Sequence, residues 1–166
     1  NEDYMEKKTE QEELNLDAKV TVKSIAGWTT GFTRRADGIG DVSIPPNGST
    51  RLSRNEVITQ VQNGNKLCAG TDGRGSHATL IVEDAPTRVE LDFESEDGKR
   101  TQQVFSDDLL KKLFELKAQK AFETRFAESI VTRAEKYAAI NAIKRLGFND
   151  YKKIRFVEQY TGFNME

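Results

Sequence analysis

The residues with the most reactive potential lie in a glycine-rich segment, residues 70–77, which reads Gly-Thr-Asp-Gly-Arg-Gly-Ser-His. Glycines let backbone N–H groups approach an anion closely, and successive N–H groups can form an anion-binding nest. Phosphate loops, however, run directly into a helix and carry a Lys-Ser/Thr pair or a dinucleotide fingerprint. A strand is expected after His77, so we predict a structured turn rather than an anion site.

Two reactive residue types occur once each in the chain, histidine as His77 at the end of this segment and cysteine as Cys68 just before it. His77 and Asp72 lack a third metal ligand at a recognisable spacing, so we expect His77 to form hydrogen bonds within its own loop. Cys68 has apolar neighbours and no activating partner, which is typical of a small core residue. We therefore predict a non-enzymatic protein with no catalytic residue, no metal site and no cofactor.

An aromatic and basic group follows the first predicted strand and consists of Trp28, Phe32, Arg34 and Arg35. On a small barrel, such side chains can stack on and neutralise single-stranded nucleic acid. Residues 18–106 carry equal numbers of acidic and basic residues, and the whole chain has a net charge of −2, which weakens this interpretation. Binding of single-stranded nucleic acid by the β domain is therefore kept as the alternative function.

Charge and length divide the 166-residue chain into three parts. Residues 1–17 contain seven acidic and two basic residues, and we predict an acidic N-terminal arm there. Residues 18–106 form a predicted small β domain, and residues 107–166 a helical C-terminal region. Within the latter, residues 107–153 have a net charge of +4, so arm and helices can attract one another or other subunits. No apolar run approaches the length of a membrane span, and no signal-peptide core is seen near the start.

The β domain is predicted from an apolar period of two, which begins at Ala18. Strands are expected near residues 18–22, 28–32, 41–44, 66–69, 78–82, 89–93 and 101–105. A Ser-x-x-Glu capping box at Ser53 and Glu56 predicts a short inserted helix, although the apolar residues that follow also fit a strand. Glu-Asp-Gly-Lys at residues 96–99 predicts a hairpin turn. These features favour a small antiparallel β-barrel or sandwich with one short inserted helix.

The helical region begins with a stretch of about forty residues that lacks both glycine and proline, residues 106–146. Ser106 stands at the N-cap and Gly147 just after the end, so the signals predict a long helix. The apolar face migrates around this helix. Either the helix breaks near residues 123–125 into a hairpin, or it is a rod of about 60 Å that no single protomer can cover. A last short helix is expected before Gly162, which gives an α+β class overall.

The migrating apolar face suggests contacts with other subunits. The residues predicted to make these protein–protein contacts are Phe126, Ile130, Val131, Tyr137, Phe156 and Tyr160.

Several segments resemble small β domains in structural proteins of tailed bacteriophages, such as head-decoration, connector and neck components. The similarity covers residues 18–106 and rests on IPPNG at 44–48, LSRNEV at 52–57, GN at 64–65 and GTDG at 70–73. It implies a virion assembly role and carries no catalytic residues.

The expected function is therefore that of a non-enzymatic structural protein which acts through subunit contacts. Its expected partners are other virion or assembly subunits in a homo- or hetero-oligomer, without a membrane. Its expected location is the virion or the host cytoplasm.

Overall fold

The structure is a computed structural model and describes residues 14–166. Antiparallel sheets come first and several helices follow, so the predicted α+β class is confirmed. Within the described range the strands are β1 (Lys19–Ser24), β2 (Thr30–Thr33), β3 (Asp41–Ile44), β4 (Ser49–Ser53) and β5 (Leu80–Val82). The helices are α1 (Arg54–Gln62), α2 (Lys66–Ala69), α3 (Ala85–Glu90), α4 (Asp107–Glu115), α5 (Gln119–Ser129), α6 (Arg133–Leu146) and α7 (Tyr151–Thr161).

Strand β1 is the central strand of the larger sheet. It pairs antiparallel with β4, where Val20 lies opposite Leu52, and with β5 on its other side. Alternate side chains of β1 are buried, as the apolar period of two predicted. The smaller sheet is the pair β2–β3, in which Phe32 lies opposite Val42.

Antiparallel sheets are present as predicted, but of the two predicted architectures, a barrel or a sandwich, the barrel is wrong. The larger sheet has three strands and the smaller has two, and neither closes on itself. One reason is that residues 66–69 form α2 rather than a strand. The side chain of Asn65 accepts the N–H of Leu67 and so caps a helix at this point.

A second predicted strand, residues 89–93, is also absent from the described structure, because residues 89–90 end α3 and residues 91–93 follow it as a turn and a bend. Asp84 caps α3 by accepting the N–H of Thr87, and Pro86 occupies the first turn, where its missing N–H costs nothing. The apolar alternation of this segment is therefore satisfied by a short helix followed by the buried ring of Phe93.

The turn predicted at residues 96–99 is present, but it does not join two strands. The N–H of Ser95 donates to the carbonyl of Arg100, and the chain up to residue 106 is irregular. The predicted strand at 101–105 is therefore absent from the described structure. Its backbone instead meets the glycine-rich loop, where the N–H of His77 donates to the carbonyl of Gln103 at 2.7 Å.

The stretch predicted as one long helix or a hairpin consists of three helices, α4, α5 and α6. The breaks lie at residues 116–118 and 130–132, not at 123–125. At the first residue of each break, Leu116 and Ile130, the backbone is extended, with ψ angles of 123° and 101°. The ends of the stretch are as predicted, because Ser106 caps α4 and Gly147 ends α6 in the left-handed conformation.

The second break is fixed by a capping box that the sequence analysis overlooked. The hydroxyl of Thr132 accepts the N–H of Glu135, and the Glu135 carboxylate accepts the N–H of Thr132. This arrangement starts a new helix at Arg133 without any glycine or proline. The predicted terminal helix is α7, which Asp150 caps and Gly162 ends.

The side chains pack into two hydrophobic cores. The β core contains Val20, Val22, Val42, Ile44, Leu52, Val57, Cys68, Leu80 and Val82. The helical core contains residues of α4 to α7 together with Ile25 and Ala26, which directly follow β1. The central strand therefore runs from one core into the other.

Most of the predicted acidic arm lies outside the described residues. Its last residues, 14–17, are held against the start of α1. The guanidinium of Arg54 donates to the carbonyl of Asn15 at 2.8 Å, and it also pairs with the Asp84 carboxylate at 3.0 Å. The arm is thus anchored at the end of β1 that lies away from the helical core.

Candidate functional site

Trp28 is an exposed aromatic side chain in the connection between β1 and β2, and 37% of it is accessible to solvent. Its ring contacts the ring of Tyr137 in α6, with 5.9 Å between centroids, and Tyr137 contacts Phe163 at 5.3 Å. The backbone of Gly27 lies so close that a Cβ there would be 1.9 Å from Cε1 of Tyr137. The aromatic group is therefore fixed where the β1–β2 connection packs on α6.

Arg133, the first residue of α6, adds a cation to this group. Its guanidinium carbon lies 5.8 Å from the ring centroid of Trp28 and 5.7 Å from that of Phe163. A guanidinium over aromatic faces is attracted by the ring quadrupoles, which holds it in place. We call the residues Trp28, Arg133, Tyr137 and Phe163 the Trp28 surface.

The residues predicted for nucleic-acid binding do not lie together. Phe32 is partly buried against the β core, whereas Trp28 is exposed beside the helices. Arg34 and Arg35 lie in the β2–β3 loop, where the N–H of Arg34 donates to the carbonyl of Gly40. Phe32, Arg34 and Arg35 therefore do not belong to the Trp28 surface. The basic neighbour of Trp28 there is Arg133, which sequence spacing could not have indicated.

Among the predicted contact residues, Phe126 and Ile130 have no exposed surface. Phe156 and Tyr160 stack with centroids 5.8 Å apart, and the Tyr160 hydroxyl donates to the carbonyl of Ile130 at 2.6 Å. The idea that one protomer cannot cover this apolar face is therefore wrong, because the three helices and α7 fold back on one another.

The remaining two predicted contact residues keep accessible surface. Val131 is 42% exposed, and Tyr137 is partly exposed within the Trp28 surface. Both lie near Arg133 in sequence, Val131 two residues before it and Tyr137 four residues after it. Val131 is thus the most exposed of the six predicted contact residues, whereas Tyr137, Phe156 and Tyr160 are all half-buried.

Glu56 fills an anion nest with a carboxylate from the same chain. Its oxygens accept the N–H groups of Arg35, Ala36 and Asp37, each at 3.1 Å, and the amide of Gln60 at 3.0 Å. Burial raises the pKa of this carboxyl, but the hydrogen bonds lower it by more, so the pKa lies below its ordinary value of 4.5. The nest that residues 35–37 form is thus already occupied and stabilises the β2–β3 loop.

The glycine-rich loop is a structured turn, as predicted. The N–H of Thr71 donates to the carbonyl of Ser76, and the Asp72 carboxylate accepts the N–H groups of Arg74 and Ser76. β5 follows this loop.

The prediction that His77 bonds within its own loop is wrong. Its Nδ1 lies 3.0 Å from Oε2 of Glu135, a fully buried carboxylate of α6. The imidazole thus connects the β region to the start of a helix that lies 58 residues further along the chain. Sequence spacing gave no signal for this pair.

Cys68 and the residue types that can ligate metals were the remaining candidates for reactive chemistry. Burial raises the pKa of the Cys68 thiol to about 12, so it is not a thiolate nucleophile at neutral pH. Within residues 14–166, no three His, Cys, Asp or Glu side chains are grouped so that they could hold a metal ion. No helix in that range is both long enough and apolar enough to cross a bilayer.

A wide cavity of about 710 Å³ lies between the sheet and helices α4 and α6. It is lined by charges of both signs, including Lys23, Glu83 and Asp107. Arg145 at its edge donates two hydrogen bonds to the Asp107 carboxylate, at 2.8 and 2.9 Å. Because charges of both signs line it and Arg145 is paired with Asp107, this cavity indicates no particular ligand.

Comparison of the chain with models of protein families, with curated proteins and with solved structures finds no match.

Proposed function

We propose that the chain is a non-enzymatic structural protein that assembles through subunit contacts, of the kind found in virions of tailed bacteriophages. The observation that supports this proposal most directly is the Trp28 surface. It joins one tryptophan, one tyrosine and one arginine in a small area, and these residue types dominate the binding energy of protein interfaces.

The packing of the Trp28 surface favours binding. Association costs free energy when flexible side chains become ordered. Trp28 is already held against Tyr137, and Arg133 already lies over two rings. A partner would therefore bury these side chains with little further loss of conformational entropy.

A second copy of the chain is the partner we propose. Arg133 lies in the stretch 107–153, which has a net charge of +4, whereas residues 1–17 have a net charge of −5. Opposite charges on two segments of one sequence steer copies of that sequence towards each other. Apolar contact at Trp28 would supply affinity, and the charges would supply orientation.

The experiment is a measurement of mass in solution by sedimentation over a range of protein concentrations. We expect the full chain to exceed 18.7 kDa in a concentration-dependent way. Replacing Trp28 by Ala should weaken self-association by about tenfold or more, as loss of an interface hot spot does. Tyr151→Ala is the matched control, because Tyr151 is 70% exposed at the opposite end of α7 from Phe163.

A mass of one chain at every concentration would contradict assembly between copies. An equal loss of association in the Trp28→Ala and Tyr151→Ala variants would contradict the location of the contact. Circular dichroism of both variants should match the unsubstituted chain, since both side chains are exposed.

Binding of single-stranded nucleic acid remains the second candidate, and the contact of Trp28 with Arg133 favours it. An exposed indole beside a guanidinium is a platform on which a base can stack. Retention on single-stranded DNA at low salt that is lost in Trp28→Ala would support this alternative. The absence of any such retention would dismiss it.

A further inference from the structure

A second cavity, of about 410 Å³, lies between the glycine-rich loop and the start of α6. Its volume falls within the range of roughly 300 to 1,000 Å³ that small-molecule sites occupy. Side chains from three segments reach it: Lys66 from α2, Thr71 and His77 from the loop, and Thr132 from the N-cap of α6. Thr79, just before β5, and Asn65, just before α2, complete the polar lining.

The polar lining favours a ligand of negative charge. Among the described residues that line the cavity, Lys66 and His77 are the ones with ionisable side chains, and both are basic. The hydroxyl of Thr79 adds a donor that can rotate towards a ligand. Ammonium and hydroxyl groups at one site are the usual partners of phosphate and carboxylate oxygens.

The nearby carboxylate of Glu135 does not line the cavity and is hydrogen-bonded within the protein. Its carboxylate has no exposed surface and accepts the N–H groups of Val131 and Thr132, each at 3.0 Å. It also accepts from Nδ1 of His77, because a carboxylate has no hydrogen to donate. The charge of Glu135 is therefore already balanced by donors within the protein.

The same contact determines which ring nitrogen of His77 can meet a ligand. Because Nδ1 carries the hydrogen that Glu135 accepts, Nε2 is the nitrogen left for the cavity. Nε2 accepts from a protonated phosphate oxygen, and in the imidazolium form it donates to an ionised one. The imidazole can thus bind an acidic group in either protonation state.

The loop that carries His77 is tightly packed. His77 itself has a left-handed backbone, with φ of 60°. Gly70 packs so tightly that a Cβ there would be 2.2 Å from the carbonyl oxygen of Ser76. A ligand would therefore meet an imidazole that is already positioned by its loop and by Glu135, which reduces the entropic cost of binding.

We propose that this cavity binds a small molecule through an anionic group, a phosphate or a carboxylate. The anionic group takes hydrogen bonds from the Lys66 ammonium and the Thr79 hydroxyl, and contacts Nε2 of His77. This site is separate from the Trp28 surface and does not depend on self-association.

The test follows the imidazole signals of the full chain by proton NMR at constant pH. His77 is the single histidine, so its two ring C–H signals are unambiguous. Inorganic phosphate and acetate are titrated separately, with chloride at matched ionic strength as the baseline. We expect a saturable shift of the His77 signals with at least one of the two anions, and the anion that binds more tightly identifies the preferred group.

Two variants locate the binding. Lys66→Gln should weaken the affinity by about tenfold, since it removes a charge-assisted hydrogen bond, and Thr79→Val should weaken it to a smaller extent. Lys112→Gln in α4 is the matched control, because Lys112 is also exposed and does not line the cavity.

Two results would overturn the proposal. In the first, the His77 signals move no further in phosphate or acetate than in chloride. In the second, the Lys66→Gln and Lys112→Gln variants bind with the same affinity. Both lysines are exposed, so neither variant is expected to unfold the chain.

Discussion

Glu56 and Glu135 are both fully buried, and each is the third residue of a helix whose N-cap is a hydroxyl side chain. In both helices the hydroxyl accepts the N–H of the glutamate. Each carboxylate also binds a segment far away in sequence, Glu56 the backbone of residues 35–37 and Glu135 the imidazole of His77. A buried carboxylate is stable only when hydrogen bonds replace the lost hydration, and these contacts supply them.

The sequence pattern indicated the first of these two capping boxes and predicted only part of its role. Ser53-x-x-Glu56 correctly located the start of α1, but the Glu56 side chain was expected to bond the backbone of its own N-cap. Thr132-x-x-Glu135 has the same form, and it would have located the break before α6. The distant partners could not have been predicted, because they depend on how the loops fold onto the helix starts.

Replacement of Glu56 by Gln is expected to destabilise the fold by about 1–3 kcal/mol. The amide keeps one acceptor oxygen where the carboxylate has two, so some of the N–H groups of residues 35–37 lose their partner. Chemical denaturation at neutral pH measures this difference. Glu90→Gln is the control, because Glu90 is exposed in α3.

The pH dependence of the unfolding free energy, compared between the unsubstituted chain and Glu56→Gln, gives a second check. The pKa of Glu56 is lower in the folded state than its ordinary value of 4.5, so ionised Glu56 stabilises the fold above that value. This contribution is lost as the pH falls through the folded-state pKa. The difference in unfolding free energy between the unsubstituted chain and Glu56→Gln should therefore shrink on acidification below pH 4.5, and a constant difference would contradict our account.

At the scale of helices and strands, capping side chains determine the secondary structure of short segments more than apolar periodicity does. Residues 66–69 and 89–93 both fit a strand by their apolar pattern, yet Asn65 caps a short helix at 66–69 and Asp84 caps another at 85–90. Periodicity cannot separate a short strand from a single helical turn, because each buries only two or three side chains. Longer elements with clear caps at both ends, such as α7, were predicted correctly.

The break before α6 is the clearest case of a cap overriding a continuous helical signal. No helix-breaking residue occurs between α5 and α6, and the intervening residues 130–132 could continue a helix. Ile130 instead adopts an extended backbone and buries its side chain completely in the helical core. Burial of this side chain and the Thr132 capping box together favour the break.

Thr132→Ala should cost about 0.5–2 kcal/mol of unfolding free energy, because the first turn of α6 loses its hydroxyl acceptor. Thermal or chemical unfolding monitored by circular dichroism measures this loss. Thr124→Ala, at an exposed position within α5, is the matched control and should change stability by only a few tenths of a kcal/mol. Equal effects of the two substitutions would show that the cap does not stabilise α6.

At the scale of the whole molecule, the β and helical regions are joined by buried contacts. Ile25 and Ala26 leave β1 and enter the helical core, and Gly27 lies directly against Tyr137. The pair of His77 and Glu135 connects the same regions at a second point. These contacts indicate that the two regions unfold together.

Gly27→Ala tests this junction, since its new methyl group would overlap the ring of Tyr137. We expect a loss of about 1–3 kcal/mol, the usual cost of overpacking, with one cooperative transition retained. Combining it with Tyr137→Ala removes the overlap, so the double variant should lose less than the sum of the two single variants. Strict additivity, or a separate transition for the helices, would contradict a shared folding unit.

The architecture as a whole could be predicted only at a coarse level. Composition and periodicity gave the α+β class and the order of sheets before helices. They could not show that the sheets stay open or that the predicted long helix is three helices, since both depend on how distant segments pack. The Trp28 surface shows the same limit: Trp28 and Tyr137 were each singled out from the sequence, but for different roles, and only the fold brings them together.

The buried thiol of Cys68 can report how often the β core opens. Only 2% of the residue is accessible, and the chain contains no other thiol. A thiol-modifying reagent can react with Cys68 only when the β core opens, and the reaction increases the mass of the chain permanently. The rate of this mass increase thus reports the opening of the β core in dilute samples and in assemblies too large for NMR. No residue has to be substituted to introduce a thiol.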